Sequence, residues 1–171
     1  MTDIKTLQLE ELTVDNPIFQ SYGISYVKRT QGETTVKIAI PIKSTGVADV
    51  IDNFSRKRPI PPLKGIIVKP NDPAYKELGL SRKQHVQTYN YADSKYQEEL
   101  EKHNSELGLR IVLMGLGIDI KDKKGKVIEE EEDKIQALKD MGMTGDQFTQ
   151  IVNDITKLTK WEVDKEADFL D

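Results

Sequence analysis

An α+β fold is predicted by a change of periodicity along the chain. Residues 24–30 and 34–42 have strand character around a glycine turn, and in the second run Val36, Ile38, Ile40 and Ile42 alternate with Lys37, Ala39, Pro41 and Lys43. Between residues 58 and 70 prolines enforce extended backbone, and from about residue 92 apolar side chains recur every three or four positions. The expected organisation is a β-rich section with short helices over residues 1–91 and an α-helical section over residues 92–171. The two sections either share one continuous domain or pack as separate parts.

Ile24 to Thr30 and Thr34 to Ile42 flank Gln31-Gly32 and read as a hairpin. In the second strand Val36, Ile38, Ile40 and Ile42 share one face, while Pro41 marks an edge or the strand's end. Ser44 is the expected N-cap of a short helix over Val47 to Phe54, whose stripe is Val47, Val50, Ile51 and Phe54. Three prolines between Pro59 and Pro62 then precede an apolar strand at Ile66 to Val68. Asp72-Pro73 opens a one-turn helix that ends at Gly79, and Ser81 to Asp93 is expected to be irregular.

A long helix follows from about Ala92 to Gly108 or beyond, with Gly108, Gly115 and Gly117 expected to bend it or end it early. Ile118 to Ile120 and Val127-Ile128 bracket a turn at Asp122 to Gly125. The last two helices are amphipathic. Ile135, Leu138 and Met141 line one edge of the first, and Gly142 ends it. Thr144 with Gln147 forms a capping box for the second, whose stripe is Phe148, Ile151, Val152, Ile155 and Leu158. Trp161, Val163, Ala167 and Phe169 are candidate anchors in an acidic terminal segment.

The chain has no cysteine, which removes disulfides, thiolate nucleophiles and Cys-based zinc sites. Its N-terminal residues lack a basic segment followed by an apolar one, so no signal peptide is expected. The longest apolar run, Ile111 to Ile118, falls far short of the roughly 20 residues a span requires. A soluble, cytoplasmic protein without membrane contact is the expectation. A net charge of -4 gives no general reason to expect nucleic acid.

No motif carries chemistry. His85 and His103 have no partner at ligand spacing, and no metal or other cofactor is expected. Asp119, Asp122 and Gly125 superficially resemble a calcium loop, but four lysines stand among them and no Glu closes the loop. The acidic run Glu129 to Asp133 suits a helix N-terminus. Arg56-Lys57-Arg58 is a small basic patch with no aromatic platform in the local sequence. Gly115-Leu116-Gly117 lacks the third glycine and the Lys-Ser or Lys-Thr of phosphate loops. The predicted role is contact rather than catalysis. Leu138, Met141, Phe148, Ile151, Val152, Ile155 and Leu158 are the candidate partner-binding or self-association stripe, since short helices are weak alone.

The order of parts resembles the tail assembly chaperones of long-tailed bacteriophages and prophages. The pieces that carry it are IPPLKGIIVKP, YQEELEKHNSELGLRIVLMGL and KIQALKDMGMTGDQFTQIVNDITKLTKW, chiefly within residues 59 to 161. The resemblance implies a non-enzymatic protein of the host cytoplasm. Such proteins coat the tape measure protein, recruit tail tube subunits and are absent from the finished particle. The family has no catalytic residues to carry over. The alternatives are a structural virion component (neck, tube or completion protein) or a small cytoplasmic adaptor or regulator.

Overall fold

The computed structural model describes residues 18–160 and is α+β. The terminal anchors Trp161, Val163, Ala167 and Phe169 lie outside the described residues. Strands β1 (Tyr22–Gln31) and β2 (Thr34–Lys43) pair antiparallel in a register that leaves Gly32-Glu33 as the loop. Gly32 has φ 61, the first-position glycine that a tight hairpin favours. Gly23, Ser25 and Val27 face the same side as Ile42, Ile40 and Ile38. That side is buried or half-buried, and the opposite side exposes Tyr22, Ile24 and Tyr26.

Helix α1 (Val47–Arg56) carries the expected stripe, with Val47 fully buried. Its cap differs from the expectation. Gly46, at φ 73, occupies the N-cap, and the Ser44 hydroxyl instead accepts the Ser21 N–H at 2.9 Å. Ser44 N–H donates in turn to Ser21 at 3.0 Å, so this serine closes the base of the hairpin. A side chain at Gly46 would also meet Met114 Sδ at 3.1 Å.

Strand β3 (Leu63–Val68), helix α2 (Pro73–Glu77) and strand β4 (Gln84–Tyr89) follow. Pro73 and Gly79 bound α2 as expected. The irregular path expected over Ser81 to Asp93 is corrected: β4 pairs antiparallel with β3, Leu63 opposite Tyr89 and Val68 opposite Gln84. Within β4 only Val86 and Tyr89 are strongly strand-forming and apolar, so the period of two is faint in the sequence. Backbone pairing to β3 supplies what the side chains do not. None of the residues of this second hairpin joins the main buried cluster.

Helix α3 (Ser94–Gly115) begins at Asp93, whose carboxylate accepts the Tyr96 N–H at 2.9 Å, and runs 22 residues without a break. Gly108 does not end it: the helix continues to Gly115, its last residue. Gly108 and Gly115 are buried two turns apart, where α5 (Gly145–Thr159) lies against the backbone of α3. A Cβ on Gly115 would sit 2.5 Å from Ile155 Cγ2, and one on Gly108 would sit 3.2 Å from Phe148 Cε1. The matched order of these contacts makes the two helices run in the same direction. Beyond α3, Gly117 N–H donates to Pro41 at 2.8 Å and Leu116 bridges Ile42, so the chain touches the free edge of β2.

Asp122 shapes the next turn, its Oδ1 accepting the N–H groups of Lys124 (2.8 Å) and Lys126 (2.9 Å). Helix α4 (Glu131–Asp140) has three acidic residues in its first turn, one of which, Glu131, pairs with Arg110 of α3. Gly142, at φ 80, ends α4 as expected: Met143 N–H reaches Leu138 and Gly142 N–H reaches Lys139. The capping box of Thr144 and Gln147 is present at the start of α5.

The break in composition near residue 91 is not a break in packing. Val27, Ile42 and Val47 share one buried cluster with Ile111, Val112, Ile151 and Ile155. Helix α5 lies between the β1–β2 sheet and α3. On its sheet side Ser25 Oγ, fully buried, donates to Asp154 Oδ2 at 2.7 Å, and Gln147 Nε2 donates to Lys28 at 2.8 Å.

Replacing Gly115 by Ala is expected to lower unfolding free energy by about 1–3 kcal/mol despite the better helix propensity of Ala. The looser Gly108 site should change far less. Urea denaturation checks the order, and Ile155→Ala in the Gly115→Ala background should cost less than in the wild type because the clash is relieved.

Candidate partner-binding groove

The seven residues of the predicted stripe divide three ways. Ile151 and Ile155 are 0 % exposed and Leu138 is 9 % exposed, all within the central cluster. Phe148, Val152 and Leu158 are half-buried and pack against that cluster. Only Met141 stands in solvent, at 66 % exposure. The stripe is therefore mostly spent inside the chain: Ile155 on Gly115, Phe148 and Val152 on Gly108, Leu158 on Gly23. An amphipathic stripe read from sequence specifies that something covers it but not which surface does so.

One surface that remains open among the described residues is a groove where α3, α4 and the start of α5 meet. Its volume is about 300 Å³, and its lining is largely apolar: Leu109, Ile135, Leu138, Met143 and Phe148, with Ser105 at one side. Each lining residue has a local cause. Ile135 and Leu138 lie one turn apart on α4, and Leu109 follows the buried Gly108 on α3. Met143 is brought in by the α4 terminus, where the residue after the left-handed glycine packs back toward the helix it has left. Phe148 is one turn into α5, held by the Thr144 cap and by the flat surface that Gly108 leaves. Lys139 and Thr144 rim the opening.

A second, wider groove of about 890 Å³ continues from it along the first half of α3. The two share Ser105, Gly145 and Phe148. Leu100, Phe148 and Val152 contribute apolar floor here, and Glu98 and Glu101 stand on its α3 side. Together they form a continuous trough, apolar where three helices meet and polar toward the start of α3. Such a trough accepts one edge of a helix, with side chains three and four residues apart dropping onto the floor.

Leu138, Phe148 and Val152 are the stripe residues that the structure brings to this trough. Leu109, Ile135 and Met143 complete it without having been assigned a site from the sequence. For Met143 the signal was present, because an apolar residue just after a helix-ending glycine commonly contacts the last turn. For Leu109 there was none, since it flanks the strongest apolar face of α3. His103 packs its ring at 5.3 Å from Phe54, and His85 is exposed on β4. Among the described residues there is no group of three or more His, Cys, Asp or Glu placed to hold a metal ion. No helix among them is long and apolar enough to cross a membrane.

The placement of the stripe gives a contrast between two substitutions. Ile155→Glu, which sets a carboxylate against Gly115, should abolish cooperative unfolding, while Met141→Glu should shift stability by no more than about 0.5 kcal/mol. Thermal unfolding followed by circular dichroism distinguishes the two.

Comparison with known proteins finds no matching family model, no matching curated protein and no matching solved structure.

Proposed function

We propose that this protein is a non-enzymatic assembly chaperone of the bacteriophage tail. It acts in the host cytoplasm, holding helical segments of the tape measure protein while tail tube subunits are recruited. The observation that carries the reading is the trough of α3, α4 and α5, apolar where the three helices meet and left open by a chain whose terminal stripe is mostly covered. Every residue that lines it lies within residues 59 to 161, the stretch whose layout resembles that family.

The chemistry required is reversible contact. A tape measure protein presents long helices with apolar edges, and a shallow trough with a polar rim can release such an edge when tube subunits compete for it. The apolar floor gives affinity, while Lys139, Glu98 and Glu101 at the margins set orientation. A structural virion component would share this geometry and would differ by remaining in the particle.

Co-expression with the tape measure protein of the same phage should yield a stable complex. Ile135→Glu together with Lys139→Glu should reduce recovery of that complex by about tenfold or more, while the thermal midpoint of the free chaperone is largely kept. Purified virions should lack the chain by mass spectrometry. Failure to form a complex would overturn the chaperone reading, and stoichiometric retention in virions would replace it with the structural one.

A further inference from the structure

The charge of this chain is unevenly placed. Residues 56–91 hold eight Lys or Arg against two acidic residues, Asp72 and Glu77, a local net charge of +6 in a chain whose total is -4. Arg56 closes α1, where it pairs with Asp52, and the arm built on β3, α2 and β4, residues 59–91, keeps five Lys or Arg against those two acidic residues, a net charge of +3. One face of the arm is exposed and carries apolar side chains among polar ones: Leu63 pairs across the strands with Tyr89, Ile67 lies further along opposite His85, and Ile60 and Tyr91 flank the root. All five are at least 45 % exposed. The root is firmly placed, because Asn90 N–H donates to Pro62 at 2.7 Å and the Tyr91 ring lies 6.1 Å from Tyr89 and 6.3 Å from Tyr96 of α3. No Lys or Arg lies on this face among the paired residues, which also include Gln87 and His85; Lys64 is on the other face, and Lys69, Arg82 and Lys83 follow or precede the strand ends in sequence. That arrangement suits an acidic polypeptide with apolar side chains better than a phosphate backbone.

The chain carries such a polypeptide. Residues 161–171 hold five Asp or Glu against Lys165, a net charge of -4, interspersed with Trp161, Val163, Phe169 and Leu170. We propose that the exposed face of the arm is the docking site for residues 161–171 of a second copy of this chain. The geometry favours a second copy over the same one. Helices α3 and α5 run in the same direction, with Ile155 level with Gly115, and the arm is rooted at the opposite end of α3, beside Ser94. At about 1.5 Å per residue that separation is about 30 Å before α5 has finished. Eleven residues reach only about 36–40 Å at full extension, leaving almost none to lie along the face. Docking between copies is head-to-tail, so it continues into larger assemblies unless the rotation closes a ring. The charges steer the encounter, and Leu63, Tyr89 and Tyr91 supply the buried anchors.

Trp161 is the single tryptophan of the chain and reports directly on this contact. The test compares the full chain, a Leu63→Glu variant and a chain ending at Lys160 by sedimentation velocity and tryptophan emission. The full chain should associate with rising concentration, its emission should shift red on dilution, and association should weaken by about tenfold at about 0.5 M salt. Leu63→Glu and the shortened chain should each be monomeric with unchanged circular dichroism. Mixed together they should form a one-to-one complex, since each retains the half that the other lacks. A monomeric full chain, or a shortened chain that associates as well as the full one, would overturn the proposal. So would tryptophan burial that is independent of concentration, which indicates docking within one chain, or RNA binding by the arm that ignores removal of residues 161–171.

Discussion

The close approach of α5 to α3 is the constraint on which the remaining structure depends. Gly108 and Gly115 remove two side chains from one face of α3, and Phe148, Val152 and Ile155 occupy the space. With α5 drawn in, the neighbouring face of that helix meets the β1–β2 sheet. Gly23 there admits Leu158, and the buried Ser25 hydroxyl finds Asp154. Helix α1 then closes the flank, with Phe54 against His103 and the turn at Gly46 against Met114. Three small positions on two elements thus set how near the layers come. A larger residue at Gly115 would push α5 outward and loosen both of its faces together.

Local chemistry made much of this legible in the sequence. The β1–β2 hairpin, the α1 stripe, the Pro73 and Gly79 limits of α2, the turn at Asp122 and the Thr144–Gln147 box each depend on residues within a few positions of one another. What was not legible depends on distant partners. The glycines of α3 look like helix breakers until a second helix is placed on them, because intrinsic propensity and close packing pull in opposite directions. Strand β4 is held by its pairing with β3 more than by its own apolar pattern. Ser44 has the chemistry of a cap, yet the nearer competitor for its hydroxyl is the Ser21 N–H. The terminal stripe was found in full, and its fate was not. Gly108, Gly115 and Gly23 decide that most of it faces inward, while the neighbouring Leu109, Ile135 and Met143 line a groove that stays open.

The two contact surfaces follow from the same geometry. Because α3 extends beyond the start of α5, its first turns are left to form the wall of the trough, and the β3–β4 arm leaves from that same end. Residue 160, where α5 gives way to the acidic terminal segment, lies at the other end. The molecule therefore has a basic and apolar end and an end that leads into an acidic segment, with the trough along its side. Under the proposed chaperone reading such polarity is useful, since the proposed head-to-tail contacts would place successive troughs along one line. The trough and the arm share no residues, so the two proposed contacts would not compete for the same side chains.

Native-state hydrogen exchange followed residue by residue tests most directly the claim that the glycine seam organises the fold. Amides of α3 near Gly108 to Gly115 and of α5 near Ile151 to Ile155 should share one opening free energy, equal to that of global unfolding. Those of β3 and β4 should exchange through a separate and easier opening. Equal protection in the arm and the seam, or α5 opening well before α3, would contradict the account.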